Sequence, residues 1–267
     1  MKSIKKNKIR VPYALACYDD KEIAAVTNVL KSHKTMLGAH TKLFEKKVSS
    51  IFGKKYGVMV NSGSSANLLA FEIMDLPKGS EVITPILTFS TTVAPIIQKN
   101  LSPSFVDVNI GDYLADTNQI EDAITKKTKC LMIPSLIGNV PDLQLISEIA
   151  AKNNLYFVED SCDTIGSKFN GSPTGTYSNI STTSFYGSHI ITAAGGGGMI
   201  CINDENWSRK CRILSSWGRT SAVDETEDIK KRFSAEIDGF QNDAKYLFEE
   251  VGYNFLPIEI SSAFRLE

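Results

Sequence analysis

The sequence predicts an α/β fold with a mostly parallel central sheet and helices on both faces. Two observations carry this. From Tyr56 onward, short apolar runs of strand length alternate with helical patterns, the βα rhythm of a parallel sheet covered on both sides. The chain has 267 residues, 42% of them apolar, enough to bury the core of one large domain, or of a large and a small one.

The start, Met1 to Arg10, is lysine-rich. Ala14-Leu15-Ala16-Cys17 resembles a lipoprotein cleavage site only superficially, because no apolar segment precedes it and Asp19, Asp20 and Lys21 follow at once. Asp19 and Asp20 predict the cap of a helix reaching about Leu30, with Ile23, Val26 and Leu30 on one face. Strands are expected at Tyr56 to Val60, Glu81 to Thr84, Ser104 to Asp107, Cys130 to Ile133, Tyr156 to Glu159, Thr182 to Phe185 and Met199 to Ile202. Helices fill most of the gaps: Ser64 or Ser65 opens one through Met74, and Asp142 one through Ala151. Gly166 to Gly171 reads as a hairpin turn, which leaves Lys168 solvated. Thr220 to Lys231 is charged and core-poor, an exposed loop or helix. Pro257 and Ile258 to Phe264 read as the start of a helix without a second turn.

Basic and acidic residues nearly cancel, 29 against 30, so no global field draws the chain to nucleic acid or an anionic membrane, and neither is expected as a partner. No apolar stretch reaches the roughly 20 residues of a membrane span, and a cytoplasmic location is expected. The cysteines Cys17, Cys130, Cys162, Cys201 and Cys211 are odd in number and contain no C-x-x-C pair. Free thiols are expected, and no metal site.

Several segments carry chemistry. Asn61-Ser62-Gly63-Ser64-Ser65-Ala66-Asn67 runs from a strand into a helix; it reads either as a phosphate cradle at a positive helix end or as a small-residue turn with a serine cap. Glu159-Asp160 ends a strand, where a carboxylate either holds a ring nitrogen protonated or caps a neighbouring loop. Phe89 lies just past another strand end and is either a stacking face for a planar cofactor or core. The run Gly195 to Gly198 lacks dinucleotide spacing and reads as a close passage of backbone past a neighbour. His189 is either a satisfied polar side chain or a base active near neutral pH.

Taken in order, Asn61 to Leu69, Pro85 to Pro95, Glu159 to Gly166, Ser184 to Gly198 and Trp217-Gly218-Arg219 resemble the DegT/DnrJ/EryC1/StrS sugar-nucleotide aminotransferase family. The similarity runs from about Arg10 to the C-terminus and implies the large domain of a fold-type I pyridoxal phosphate-dependent transferase. Ser184 to Thr192 is similar to that family's cofactor-lysine loop, yet its lysine slot holds His189, and no lysine occurs between Lys168 and Lys210. That exchange resembles the 3-dehydrases of the CDP-4-keto-6-deoxyglucose 3-dehydrase (RfbH-like) type.

The resemblance implies pyridoxamine 5'-phosphate or pyridoxal 5'-phosphate as cofactor and a nucleotide-linked 4-keto-6-deoxyhexose as substrate, in deoxysugar and lipopolysaccharide O-antigen biosynthesis. It implies that Gly63, Ser64, Ser65 and Ser184 bind the cofactor phosphate, that Phe89 stacks on the ring and that Asp160 pairs with its nitrogen. His189 becomes the proton carrier for loss of the C3 hydroxyl, with Asp163 and Tyr186 near the reacting face. Asn254 matches a residue reaching a partner subunit's phosphate, which implies a homodimer. Cluster-bearing relatives place three cysteines after the Trp-Gly-Arg element; Thr220 to Lys231 has none, so no complete [2Fe-2S] ligand set is expected.

The resulting division is an N-terminal helical segment, 1–55, a cofactor-binding large domain, 56–219, and a loop and helical segment, 220–267. The last leads toward a C-terminal small domain that is largely absent. That leaves room for a reductase or a separately encoded C-terminal half as a further partner. A non-catalytic remnant or partner subunit of the same fold, and an ordinary sugar-nucleotide aminotransferase, are the alternative readings.

Overall fold

Residues 11, 15–223, 232, 233 and 235–267 are described by the computed structural model. In chain order the elements begin with α1 (Asp20–Lys31), α2 (Ala39–Ile51), β1 (Tyr56–Val60), α3 (Gly63–Met74), β2 (Glu81–Pro85), α4 (Ser90–Gln98) and β3 (Ser102–Val106). They continue with α5 (Thr117–Asp122), β4 (Thr128–Pro134), α6 (Leu143–Lys152), β5 (Tyr156–Asp160), β6 (Lys168–Phe169), β7 (Ser172–Pro173) and β8 (Ile180–Ser184). The last are β9 (Gly198–Ile202), α7 (Glu205–Ser215), β10 (Ala235–Ile237), β11 (Phe240–Asn242) and α8 (Glu259–Leu266).

Seven strands form one sheet in the order β1-β9-β8-β5-β4-β2-β3. Every neighbouring pair is parallel except those made by β9, which runs antiparallel to both β1 and β8. Each of the seven expected strands is present. Side chains alternate across the sheet with the period of two that a pleated strand imposes. Val58, Val60, Val82, Met132, Val158 and Ile200 join one core with Leu69 and Phe71 of α3 and Leu214 of α7. Their chain neighbours face the other way, Ile83, Leu131 and Phe157 onto Ile146 and Ile149 of α6, and Met59 and Met199 onto Phe44 and Val48 of α2.

Three expectations are corrected. Ser62, not Ser64 or Ser65, caps α3, because its Oγ accepts from the Ser65 amide at 3.1 Å and the helix is under way at Gly63. Helix α1 begins at the expected acids, with Asp19 and Glu22 forming a capping box, but its buried residue is Val29, while Ile23 and Leu30 stay half exposed. The reason is its peripheral position, packed chiefly on α8 with Tyr18 edge-on to Phe264. Finally, α8 runs eight residues, a little over two turns.

The first residue of α8, Glu259, ties that helix to the start of α2. Helix α2 starts at Gly38, which offers no side-chain cap. The buried Glu259 carboxylate supplies one from 221 residues away, accepting from the amides of Gly38 and His40 at 2.8 Å each and of Thr41 at 3.2 Å. Thr41 Oγ1 donates to it at 2.6 Å, and His40 Nδ1 lies at 2.9 Å. Burial alone would raise this carboxyl, but the donors from Thr41, His40 and Gly38 outweigh it and hold Glu259 below the ordinary glutamate range.

Glu259→Ala strands those donors and is expected to cost about 3 kcal/mol in denaturant unfolding. Because the folded pKa is depressed, this stabilisation is complete above the unfolded glutamate pKa. It is lost as pH falls through the folded value, and Glu259→Gln should flatten that part of the acid-unfolding curve.

The Gly166 to Gly171 turn is realised as the β6–β7 hairpin, with Asn170 and Gly171 at positive φ and Lys168 exposed. Of the Thr220 to Lys231 segment, Thr220–Ala222 form a short 3-10 turn and 224–231 lie outside the described residues. Among the described residues no helix is long and apolar enough to cross a membrane.

Candidate active site

Strand ends position the site. In an open, mostly parallel sheet the carboxyl ends of the strands border a crevice, and here β5 delivers Asp160 and β8 delivers Ser184 to it. The pleat separates the two acids of the Glu159-Asp160 pair. Glu159 is fully buried on the opposite face, accepting from Ser161 Oγ at 2.5 Å and Ser181 Oγ at 2.8 Å. Lys54 lies near it, donating to the Ser178 carbonyl at 2.5 Å, with burial lowering its pKa to about 8 against the pull of Glu159. This arrangement serves the fold.

Asp160 faces the crevice side. Its Oδ2 accepts from Asn67 Nδ2 and Thr92 Oγ1, both at 2.9 Å, and its Oδ1 accepts from the Cys162 amide at 3.3 Å. Thr182 Oγ1 donates to Asn67 Oδ1 at 2.6 Å and so fixes the amide's orientation. With the Cys162 thiol as a further, weak donor, Asp160 is held by neutral donors only, so a cationic donor at its crevice side would meet a carboxylate that none of these contacts neutralises. Burial, then the neighbouring Asp160 and Asp163, push the Cys162 thiol well above the usual range, so it stays protonated.

The cradle is the first turn of α3. Ser65 spends its amide on Ser62 Oγ and its hydroxyl on Asn61 Oδ1 at 2.7 Å. The amides of Gly63 and Ser64 belong to the helix's first turn, where the helix itself offers no acceptor. Ser64 Oγ donates to Thr91 Oγ1 at 2.8 Å. A Cβ at Gly63 would stand 2.7 Å from Ser184 Cβ and 3.1 Å from Cys162 Sγ, which places these three residues together. At Gly198 a Cβ would collide with the backbone of Ser62, so the expected close passage of the glycine run is that of β9 past the start of α3.

Phe89 sits at the start of α4 and is 70% exposed, which excludes the core alternative for this ring. Asn254 is exposed and bridges to Ser216, while the next carbonyl, of Phe255, accepts from the Asn61 amide at 2.9 Å. It therefore lies along the edge of the cradle.

The second cluster is built on the loop after β8. Phe185 is buried and anchors it, with Arg265 of α8 stacked at 4.0 Å and donating to the Gly196 carbonyl at 2.8 Å. Tyr186 then emerges, and a turn closed by the His189 amide onto the Tyr186 carbonyl at 3.0 Å brings the two rings edge to face, 5.9 Å apart. His189 Nε2 lies 3.9 Å from Asp163 Oδ1, and its Nδ1 is buried without a hydrogen-bond partner among the described residues. Asp163 Oδ2 accepts from the Ile137 amide at 3.1 Å. The segment Asp160 to Asp163 thus joins the two clusters.

Sequence reasoning gave Asn67, Thr92 and Ile137 no role of their own. Asn67 had a legible signal, an amide directly before the apolar run Leu68 to Phe71; the other two act through contacts that no local pattern encodes. Among the described residues no group of three or more His, Cys, Asp or Glu is placed to hold a metal ion.

A helix start lined with small hydroxylic residues suits a phosphate, and a buried carboxylate held by neutral donors suits a protonated ring nitrogen. Together with the sheet they define the class: the large domain of a fold-type I pyridoxal phosphate-dependent enzyme. The chain belongs to the DegT/DnrJ/EryC1/StrS aminotransferase family, whose model matches residues 16–266.

It is 36% identical over 265 residues to dTDP-4-dehydro-2,6-dideoxy-D-glucose 3-dehydratase of Saccharopolyspora spinosa, covering 94% of this chain and 57% of that protein. It is 34% identical to GDP-4-keto-6-deoxy-D-mannose 3-dehydratase of Yersinia pseudotuberculosis, covering 99% and 67%. The solved structure of E. coli GDP-4-keto-6-deoxy-D-mannose-3-dehydratase with bound hydrated PLP superposes with a TM-score of 0.87 at 31% identity, over 97% of this chain and 67% of that one. The chain thus spans between somewhat over half and two thirds of the length of these relatives.

Proposed function

We propose that the protein is a pyridoxamine phosphate-dependent 3-dehydrase acting on a nucleotide-linked 4-keto-6-deoxyhexose, in deoxysugar biosynthesis of the kind that supplies lipopolysaccharide O-antigens. The observation that carries this is His189: an imidazole with a buried Nδ1, facing Asp163, stands where relatives that transaminate need an amine. The two relatives and the solved structure above, all 3-dehydratases by name, support it.

The cofactor supplies an amine that condenses with the 4-keto group and a ring that accepts electron density. Every other part of the chemistry is assigned to the chain. Gly63, Ser64 and Ser184 hold the phosphate, with Gly63 and Ser64 contributing first-turn amides and Ser184 its hydroxyl; Ser65, expected there too, instead braces the turn through Ser62 and Asn61. Asp160 keeps the ring nitrogen protonated, held by Asn67 and Thr92. Phe89 covers one ring face. His189 takes the proton from the cofactor's methylene carbon and delivers one to the departing C3 hydroxyl, with Tyr186 beside it. Asn254 reaches the phosphate of a partner subunit, so the working unit is a homodimer.

The test is incubation with pyridoxamine phosphate and a GDP- or CDP-linked 4-keto-6-deoxyhexose in heavy water. Loss of the C3 hydroxyl with deuterium entering the cofactor methylene is expected. An unlabelled methylene and intact sugar would remove the enzymatic reading.

A further inference from the structure

The turn after β4 contains an anomaly that the proposed chemistry does not by itself require. Ile137 adopts φ 55°, ψ 33°, and Gly138 follows at φ 82°, while the Asn139 amide donates to the Leu136 carbonyl at 3.0 Å. These are the torsions of a type I′ turn, whose first central position favours Asn, Asp or Gly. A β-branched residue there is strained, and such strain persists only where the surroundings enforce it. Packing does not supply the compensation, since Ile137 is 68% exposed. The contact that compensates is polar: the left-handed conformation turns the Ile137 N–H onto Asp163 Oδ2 at 3.1 Å.

We infer that Ile137 is a positioning residue, whose backbone N–H orients the Asp163 carboxylate so that its other oxygen faces Nε2 of His189. The geometry is sequential. Oδ2 is held by the turn, Oδ1 is thereby directed at the imidazole 3.9 Å away, and Nδ1 on the far side of the ring meets no partner among the described residues. A carboxylate on one side only favours the tautomer with its proton on Nε2, which leaves Nδ1 as the acceptor. The turn therefore selects which nitrogen of His189 is basic. This deepens the proposed function, because it takes His189 as the proton carrier; its test needs neither cofactor nor substrate.

The readout is the ratio of the two His189 tautomers from imidazole 15N shifts in the full chain. Replacing the Ile137 amide by an ester, which deletes the N–H and also weakens the Leu136 carbonyl as acceptor for Asn139, is expected to lower the share protonated on Nε2 by about threefold; the ester placed at the Asn139 amide, which loosens the turn but keeps the Ile137 N–H, is expected to lower it less. Asp163→Asn should lower it at least as far. Ile137→Gly, which enters the left-handed region without strain and keeps the N–H, should leave the ratio where it is. An unchanged ratio in the Ile137 ester variant or in Asp163→Asn overturns the inference, as does a shift in Ile137→Gly. If that ester variant does not fold, an unchanged ratio in Asp163→Asn or a shift in Ile137→Gly still overturns the inference. A tautomer result as expected alongside an inactive enzyme would uphold the positioning role and count against the dehydrase reading alone.

Discussion

His189→Lys is expected to convert the protein from one that releases pyridoxal phosphate on dialysis into one that retains it. A lysine at this position reaches the aldehyde carbon that an imidazole cannot hold, so the variant should gain a near-visible absorbance band that survives dialysis. Borohydride should then fix the cofactor's mass on residue 189. Dehydration should fall by about a thousandfold, the usual worth of a positioned acid–base group. His189→Asn separates the two effects, losing the same activity without gaining the band. A wild-type protein already carrying borohydride-fixable cofactor would show that some other amine holds it, and the dehydrase reading would fail.

Asp160→Asn is expected to weaken cofactor binding and turnover together, by roughly a hundredfold or more, because the buried carboxylate proposed to pair with the ring nitrogen loses its charge while the shape is kept. A second signature is independent of catalysis. Asp160 helps to push the Cys162 thiol upward, by its charge and by a hydrogen bond, after the larger effect of burial. Neutralising it should bring the alkylation pH profile of Cys162 down, though not to that of a free thiol. Normal cofactor affinity in this variant would show that Asp160 serves only to tie α3 and α4 to the sheet.

The sheet was legible because its central strands are buried on both faces and are bounded by turns, so apolar runs such as Cys130 to Ile133 and Met199 to Ile202 stand out. The orientation of β9 was not: Met199 to Ile202 reads the same in either direction. Asp19 and Asp142 were legible as caps because a cap is a local event. The cap of α2 was not, because the residue that provides it lies 221 positions away.

The site followed the same division. His189 was informative as a residue type in a recognisable segment, and Glu159-Asp160 as a strand end, with the pleat then assigning one acid to the crevice and the other to the interior. Ile137 carried no such signal. An isoleucine in a short loop reads as ordinary, and only its torsions reveal that the residue is out of character for its place.

The reach of Glu259 across the molecule also bears on how the polypeptide is made. During synthesis the first turn of α2 has only water as acceptor for its donors until Glu259 has left the ribosome. The start of α2 therefore waits for a residue 221 positions further on before it can lock.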